Sequence, residues 1–175
     1  HESSGFPAVI MEYLLHNNSE DPIEADIFGW LQNTSNYFAG GDGRHVNTIV
    51  KTADRIQLVT TSEGNKDLEN MPDHGNMTLT ILNSEDTWAT PMAPGDINYN
   101  LAEIRASEET VEKRPLQRPL TGVVGKSISL DPGEAKQVNF ILSWYFPNLN
   151  RKESGFHDLK NREQSAELAL IEPLR

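Results

Sequence analysis

Carboxylates are the most abundant reactive groups in this chain. Asp and Glu together number 26 against 15 Lys and Arg, in 175 residues with a formal net charge of −11. A glycosidase-type acid/base or nucleophile pair needs two carboxylates at a definite separation across a bond. Glu12, Glu24, Asp26 and Asp42 lie in or beside the most strand-like segments and are the candidates to converge. No spacing along the chain marks any two of them as a pair, so no catalytic residue is assigned. The five histidines, His1, His16, His45, His74 and His157, show no two-ligand spacing on one element. With no cysteine there is neither a thiolate metal site nor a disulfide framework. No serine sits in a nucleophile-elbow context. Ala39-Gly40-Gly41-Asp42-Gly43 lacks the Lys and Ser/Thr of a phosphate-binding loop and the spaced ligands of a calcium loop. It reads as a plain flexible loop, and no metal or cofactor is expected.

Aromatic rings offer a second kind of chemistry. Trp30, Trp88 and Trp144, with Tyr13 and Tyr145, have the flat faces that stack on sugar rings, and the same faces fill sandwich cores. Trp144 lies on an apolar strand face and reads as core. Trp30 shares its face with Glu24 and Asp26, so these three form the candidate carbohydrate or interdomain contact. Asn17, Asn33 and Asn76 each begin an Asn-x-Ser/Thr glycosylation sequon. The acidic balance disfavours nucleic acid and anionic membrane surfaces as partners. No apolar run approaches the roughly 20 residues of a membrane helix. The chain opens at His1 with no charged-then-apolar leader and reads as an excised piece, its compartment undetermined.

The elements that must position these groups are strands. Leu130 to Asn148 is the strongest. Asp131-Pro132-Gly133-Glu134 has type II turn chemistry, Pro for φ near −65° and Gly for positive φ. Val138, Phe140, Leu142, Trp144 and Phe146 then alternate with Gln137, Asn139, Ser143 and Tyr145, the period-two sign of a half-buried strand. Ala8–Asn17 and Ile23–Asn33 flank the turn-rich Asn18–Pro22 and are expected to pair as antiparallel strands. Bulky groups on both faces of the second predict a strand between the core and an outer cover. His45–Thr52 and Arg55–Thr61 predict a tight hairpin across Ala53-Asp54. Ser62–Gly75 reads as a long surface loop, Met77–Leu82 as a strand, and Trp88 as part of a short one. Ile97–Ala106 has helical spacing, and Glu108–Arg118 reads as an exposed charged excursion. Gly122–Leu130 is β and is expected to form a hairpin with the strand that follows it. The expected fold is all-β: an antiparallel β-sandwich with long loops and at most one or two short helices. Residues 1–148 would form the sandwich domain, and 149–175 a linker with a short helical tail.

Two stretches, Phe6–Asn33 and Leu130–Asn148, together resemble the amino-terminal domain of the non-lysosomal glucosylceramidase (bile-acid β-glucosidase-like) family, glycoside hydrolase family 116. The matching positions are Pro7-Ala8, Glu12-Tyr13, Asn17, Pro22, Glu24, Gly29-Trp30 and Asn33, then Pro132-Gly133-Glu134 and Phe140 through Asn148. The resemblance implies a β-sandwich packed on an (α/α)6 barrel. In the family that barrel carries a Glu nucleophile and an Asp acid/base and cleaves β-glucosides with retention. None of the barrel is in these residues, so the resemblance carries no catalytic residue onto them. After Gly155 the sequence departs from the helical segment the family pattern would bring. The expected function is a non-catalytic domain of a glucosylceramidase-like β-glucosidase, in carbohydrate and sphingolipid metabolism. Its partner would be the helical catalytic domain of the parent chain, with a β-glucoside or glycolipid substrate nearby. The alternative is a free-standing carbohydrate-binding or adhesion module.

Overall fold

The computed structural model describes residues 7–38, 42–93 and 101–148. Nine strands run in the order β1 (Ala8–His16), β2 (Ile23–Gln32), β3 (Gly43–Lys51), β4 (Arg55–Gly64), β5 (Asn76–Leu82), β6 (Thr87–Thr90), β7 (Val111–Pro115), β8 (Thr121–Leu130) and β9 (Ala135–Tyr145). Two short helices, α1 (Lys66–Glu69) and α2 (Leu101–Arg105), interrupt them. The strands form a six-stranded sheet, β1-β9-β5-β4-β3-β7, and a three-stranded sheet, β2-β8-β6, all antiparallel. The fold is an all-β sandwich, as the strand periodicities predict.

The core lies where the alternating apolar faces of the two sheets meet. Ile56, Leu58, Leu79, Ile81, Val138 and Phe140 come from the larger sheet, and Leu31, Ala89, Val124, Ile128 and Leu130 from the smaller. Each large side chain so buried contributes about 1.5–3 kcal/mol relative to exposure. β3 and β4 form the expected hairpin. Its turn closes where Thr52 N–H donates to the Arg55 carbonyl at 2.9 Å.

Two expected pairings are overturned. β1 does not pair with β2, and β8 does not pair with β9. β1 pairs with β9 in the larger sheet, while β2 pairs with β8 in the smaller. The connections 17–22 and 131–134 are therefore arches that carry the chain from one sheet to the other. They lie side by side and are tied together. Asn17 N–H donates to Glu134 O, and Gly133 N–H to Asn17 O, both at 2.9 Å. Glu134 N–H donates to Asp131 O at 2.9 Å and Gly133 has φ +76°, the expected type II turn. The residues have the right turn chemistry, but that chemistry does not distinguish a hairpin from an arch.

Three further segments differ from expectation. Glu108–Arg118 is no loose excursion, because Val111–Pro115 pairs with β3 as an edge strand. In the segment read as a long loop, β4 continues to Gly64 and α1 follows, capped where Leu68 N–H donates to Asn65 Oδ1 at 3.0 Å. The predicted helix is present as Leu101–Arg105, and its earlier residues up to 100 lie outside the described ones. The linker and tail at 149–175, and most of the glycine loop at 39–41, lie outside them too.

Candidate functional site

Glu24, Asp26, Phe28 and Trp30 alternate along β2 and share the outer face of the smaller sheet. Trp88 of β6 and Val123 of β8 lie on the same face. α2 crosses over it, bringing Ile104 and Leu101 against Trp88, Val123 and Phe28. This satellite core is the outer cover that the two-sided bulk of β2 anticipated. Trp88 lies flat over Gly125, where any Cβ would collide with the indole. The rings form a row: Trp30 meets Phe28 edge-on at 5.5 Å, and Phe28 meets Trp88 at 5.8 Å.

Within that row only Trp30, 43% exposed, offers a substantial face to solvent. Asp26 is committed to structure. It accepts from Ser127 Oγ at 2.7 Å and pairs with Arg105 of α2 at 3.4 Å, latching the helix to the sheet. Glu24 is exposed at the far end of the strand. At about 3.3 Å per residue, Glu24 and Trp30 stand about 20 Å apart along β2. The three candidates share a face but do not gather around one sugar ring.

The four carboxylates singled out by sequence are also dispersed. Glu12 is on the outer face of the larger sheet, where its Oε1 accepts from Gln137 at 3.2 Å. Asp42 lines an open groove of about 680 Å³ with Arg44, Glu63 and Gln117. Glu63 there is held by Lys113 at 2.7 Å. Among the described residues no cluster of three or more His, Asp or Glu is arranged to hold a metal ion.

A polar cluster that sequence reasoning missed closes one end of the sandwich. Asn33, at 0% exposure, donates from Nδ2 to Thr61 O at 2.7 Å and to Asn47 Oδ1 at 3.0 Å. Its Oδ1 accepts from Ser35 N–H at 3.1 Å. Ser35 and Ser62 hydroxyls meet at 2.8 Å, Ser62 bonds Asn36, and Asn36 Oδ1 faces His74 Nδ1 at 2.9 Å. Asn36 is left-handed at φ +53°, a conformation Asn tolerates. His45 is buried beside this cluster. Its Nε2 bonds Leu116 O at 3.2 Å, and its Nδ1 has no hydrogen bond of good geometry, although the Ser35 backbone lies nearby. Desolvation holds its pKa below the ordinary histidine value, against the opposing pull of those two backbone groups. The neutral ring is thus a structural group.

The motif asparagines prove to be clamps of the same kind. Asn17, 1% exposed, donates to Asp21 O at 2.8 Å and Leu130 O at 3.0 Å, joining the two arches. Asn148 donates to Glu69 O at 2.6 Å and Met71 O at 3.2 Å. Each amide donates to backbone carbonyls of segments distant in sequence, tying them together. Two sequons are therefore closed by the fold, since Asn17 and Asn33 have no room for a glycan. Asn76, on β5, is only partly buried. The one available signal for these clamps was their place in the resemblance itself.

Two antiparallel sheets packed face to face, with buried polar groups that serve the fold, define an all-β sandwich domain. The chain belongs to the family described as beta-glucosidase 2, glycosyl-hydrolase family 116 N-term, whose model matches residues 1–162. It is a glycoside hydrolase N-terminal domain. The match continues past Gly155, against the departure from the family pattern expected there. No curated protein matches the sequence.

Proposed function

We propose that this domain is a non-catalytic brace for the helical catalytic domain of a glucosylceramidase-like retaining β-glucosidase. The observation that carries the reading is the outer face of the larger sheet. Val50, Val59, Thr80, Leu82, Val111 and Ile141 lie on it by strand alternation, and Val50, Leu82 and Val111 are exposed. Its charged residues are Arg44, Arg55 and Glu63 near strand ends, Lys113 on the β7 edge and Glu12 on the β1 edge. The middle is uncharged in a chain that is 23% charged. A broad uncharged sheet face is what a permanent interdomain contact requires. The (α/α)6 barrel and the glycolipid-type substrate come from the motif resemblance.

The test is Val50→Glu with Leu82→Glu, made both in this chain alone and in the parent enzyme. In the chain alone the pair should leave the unfolding midpoint nearly unchanged. In the parent it should lower thermal stability and aryl β-glucoside turnover together. A parent indifferent to both charges would overturn the reading, as would turnover by this chain alone.

Trp30 favours a second reading, a carbohydrate-binding module. On that reading, titration with β-glucosides would quench its fluorescence, and Trp30→Ala would abolish the binding.

A further inference from the structure

The two sheets are notched on the same side. In the larger sheet β5 stops at Leu82, and its last partner on β9 is Phe140. In the smaller sheet β6 starts at Thr87, opposite Lys126 of β8. Among the described residues, 135–139 of β9 and 127–130 of β8 therefore have no strand on that side. The 131–134 arch sets β9 over β8, so the notches lie one above the other. Together they open a cleft of about 730 Å³ between the sheets, within the about 300–1,000 Å³ usual for small-molecule sites.

Polar groups of both kinds face this cleft. Pro7 O accepts from Trp144 N–H, so even-numbered residues of β9 turn their backbone groups toward β1. Ser127 N–H donates to Asp86 O, so odd-numbered residues of β8 turn theirs to the β6 side. Ala135 and Gln137 of β9 and Ser129 of β8 thus present N–H and C=O groups to the cleft. Ile128 and Val138, 5% and 3% exposed, form an apolar floor. Two ammonium groups close the ends. Lys136 Nζ spans the sheets to Ser129 O at 2.7 Å and pairs with Glu134 at 3.4 Å. Lys126 Nζ reaches Glu85 O at 2.8 Å. An ammonium has three N–H groups, so these contacts leave each lysine a donor for a ligand. The charged lining balances, Lys126 and Lys136 against Glu85 and Asp86. Such a lining selects neither an anion nor a cation.

We propose that this cleft binds an uncharged polyhydroxyl ligand of mono- or disaccharide size. A hydroxyl both donates and accepts, which suits walls where N–H, C=O and ammonium groups stand side by side. The apolar floor takes the C–H face of a sugar ring. An added peptide strand is disfavoured, because Lys136 already occupies the Ser129 carbonyl that such a strand would use. The site rests on neither reading given above. Ser129 pairs with Glu24, at the end of β2 away from Trp30.

The experiment is an amide NMR titration of the isotope-labelled chain with methyl β-glucoside and with cellobiose. The Ser129, Ala135 and Gln137 amides should shift and saturate in the millimolar range. Lys136→Met and Lys126→Met keep the aliphatic stems and remove the ammonium groups. Each should weaken binding by about tenfold, with circular dichroism checking the fold. Trp30→Ala should leave the affinity unchanged. Should a variant fold poorly, the shifts mapped on the wild type still decide. No saturable shift at tens of millimolar sugar overturns the proposal. So do shifts confined to the Trp30 face, an equal response to inorganic sulfate, or folded lysine variants that bind as the wild type does.

Discussion

The two outer faces of the sandwich are finished in different ways. The smaller sheet is roofed by its own chain: α2 lays Ile104 and Leu101 over Trp88 and Val123, and Arg105 reaches down to Asp26. The larger sheet receives no such roof from the described residues, and its middle is uncharged. A five-residue helix is far too short to be stable alone. It exists because the aromatic face beneath it needs covering. The difference teaches that one face of a sandwich can be completed in cis by a short helix; on the function proposed above, the other is the face a second domain would complete.

The largest way to break this contrast is at Trp88. Trp88→Ala should empty the satellite core and lift α2, costing about 3–5 kcal/mol in urea unfolding. A loss below about 1 kcal/mol would mean the roof is not integral. Asp26→Ala removes only the latch, a hydrogen bond from Ser127 and a partly exposed ion pair. It should cost about 1 kcal/mol by the same measurement. The smallest effect should be on the open face. Leu82→Gln in the isolated chain should shift stability by no more than about 0.5 kcal/mol. A cost near that of Trp88→Ala would show that the larger sheet is also covered by its own chain.

Periodicity made most of the strands legible. β9, β5 and the β3–β4 hairpin have the alternation or β-branched content that only a half-buried strand needs, and the Asp131–Glu134 turn was readable from Pro and Gly alone. The partners of the strands were not legible. Two apolar runs joined by Asn18–Pro22 look the same whether they bond to each other or stack across a core. Burial decides between these, and burial depends on strands more than a hundred residues away. β7 was hidden because Glu112, Lys113 and Arg114 are what an edge strand carries and also what a solvated loop carries. α2 was anticipated as a helix and, through the bulk on β2, as a cover, but not as both in one element.

The candidate site was legible as a face and not as a site. Trp30, Glu24 and Asp26 fall on one side of β2 as alternation requires. What alternation cannot convey is that Asp26 is claimed by Arg105, or that the row is too long for one sugar. The resemblance motif holds its own lesson. Asn17, Asn33 and Asn148 are family positions and two of them look like glycan acceptors, yet all three hold backbone together. A short polar side chain in a family pattern can mark a place where distant stretches of backbone are tied together.

The side-by-side arches also dictate an order of events during synthesis. Leu130 and Glu134, whose carbonyl groups Asn17 must meet, leave the ribosome more than a hundred residues after it. Until then β1 has no native neighbour, and the nascent chain must keep an apolar strand waiting in water. Such long-range closure makes folding slow, so β1, made more than a hundred residues before β9, is among the last of these strands to be locked.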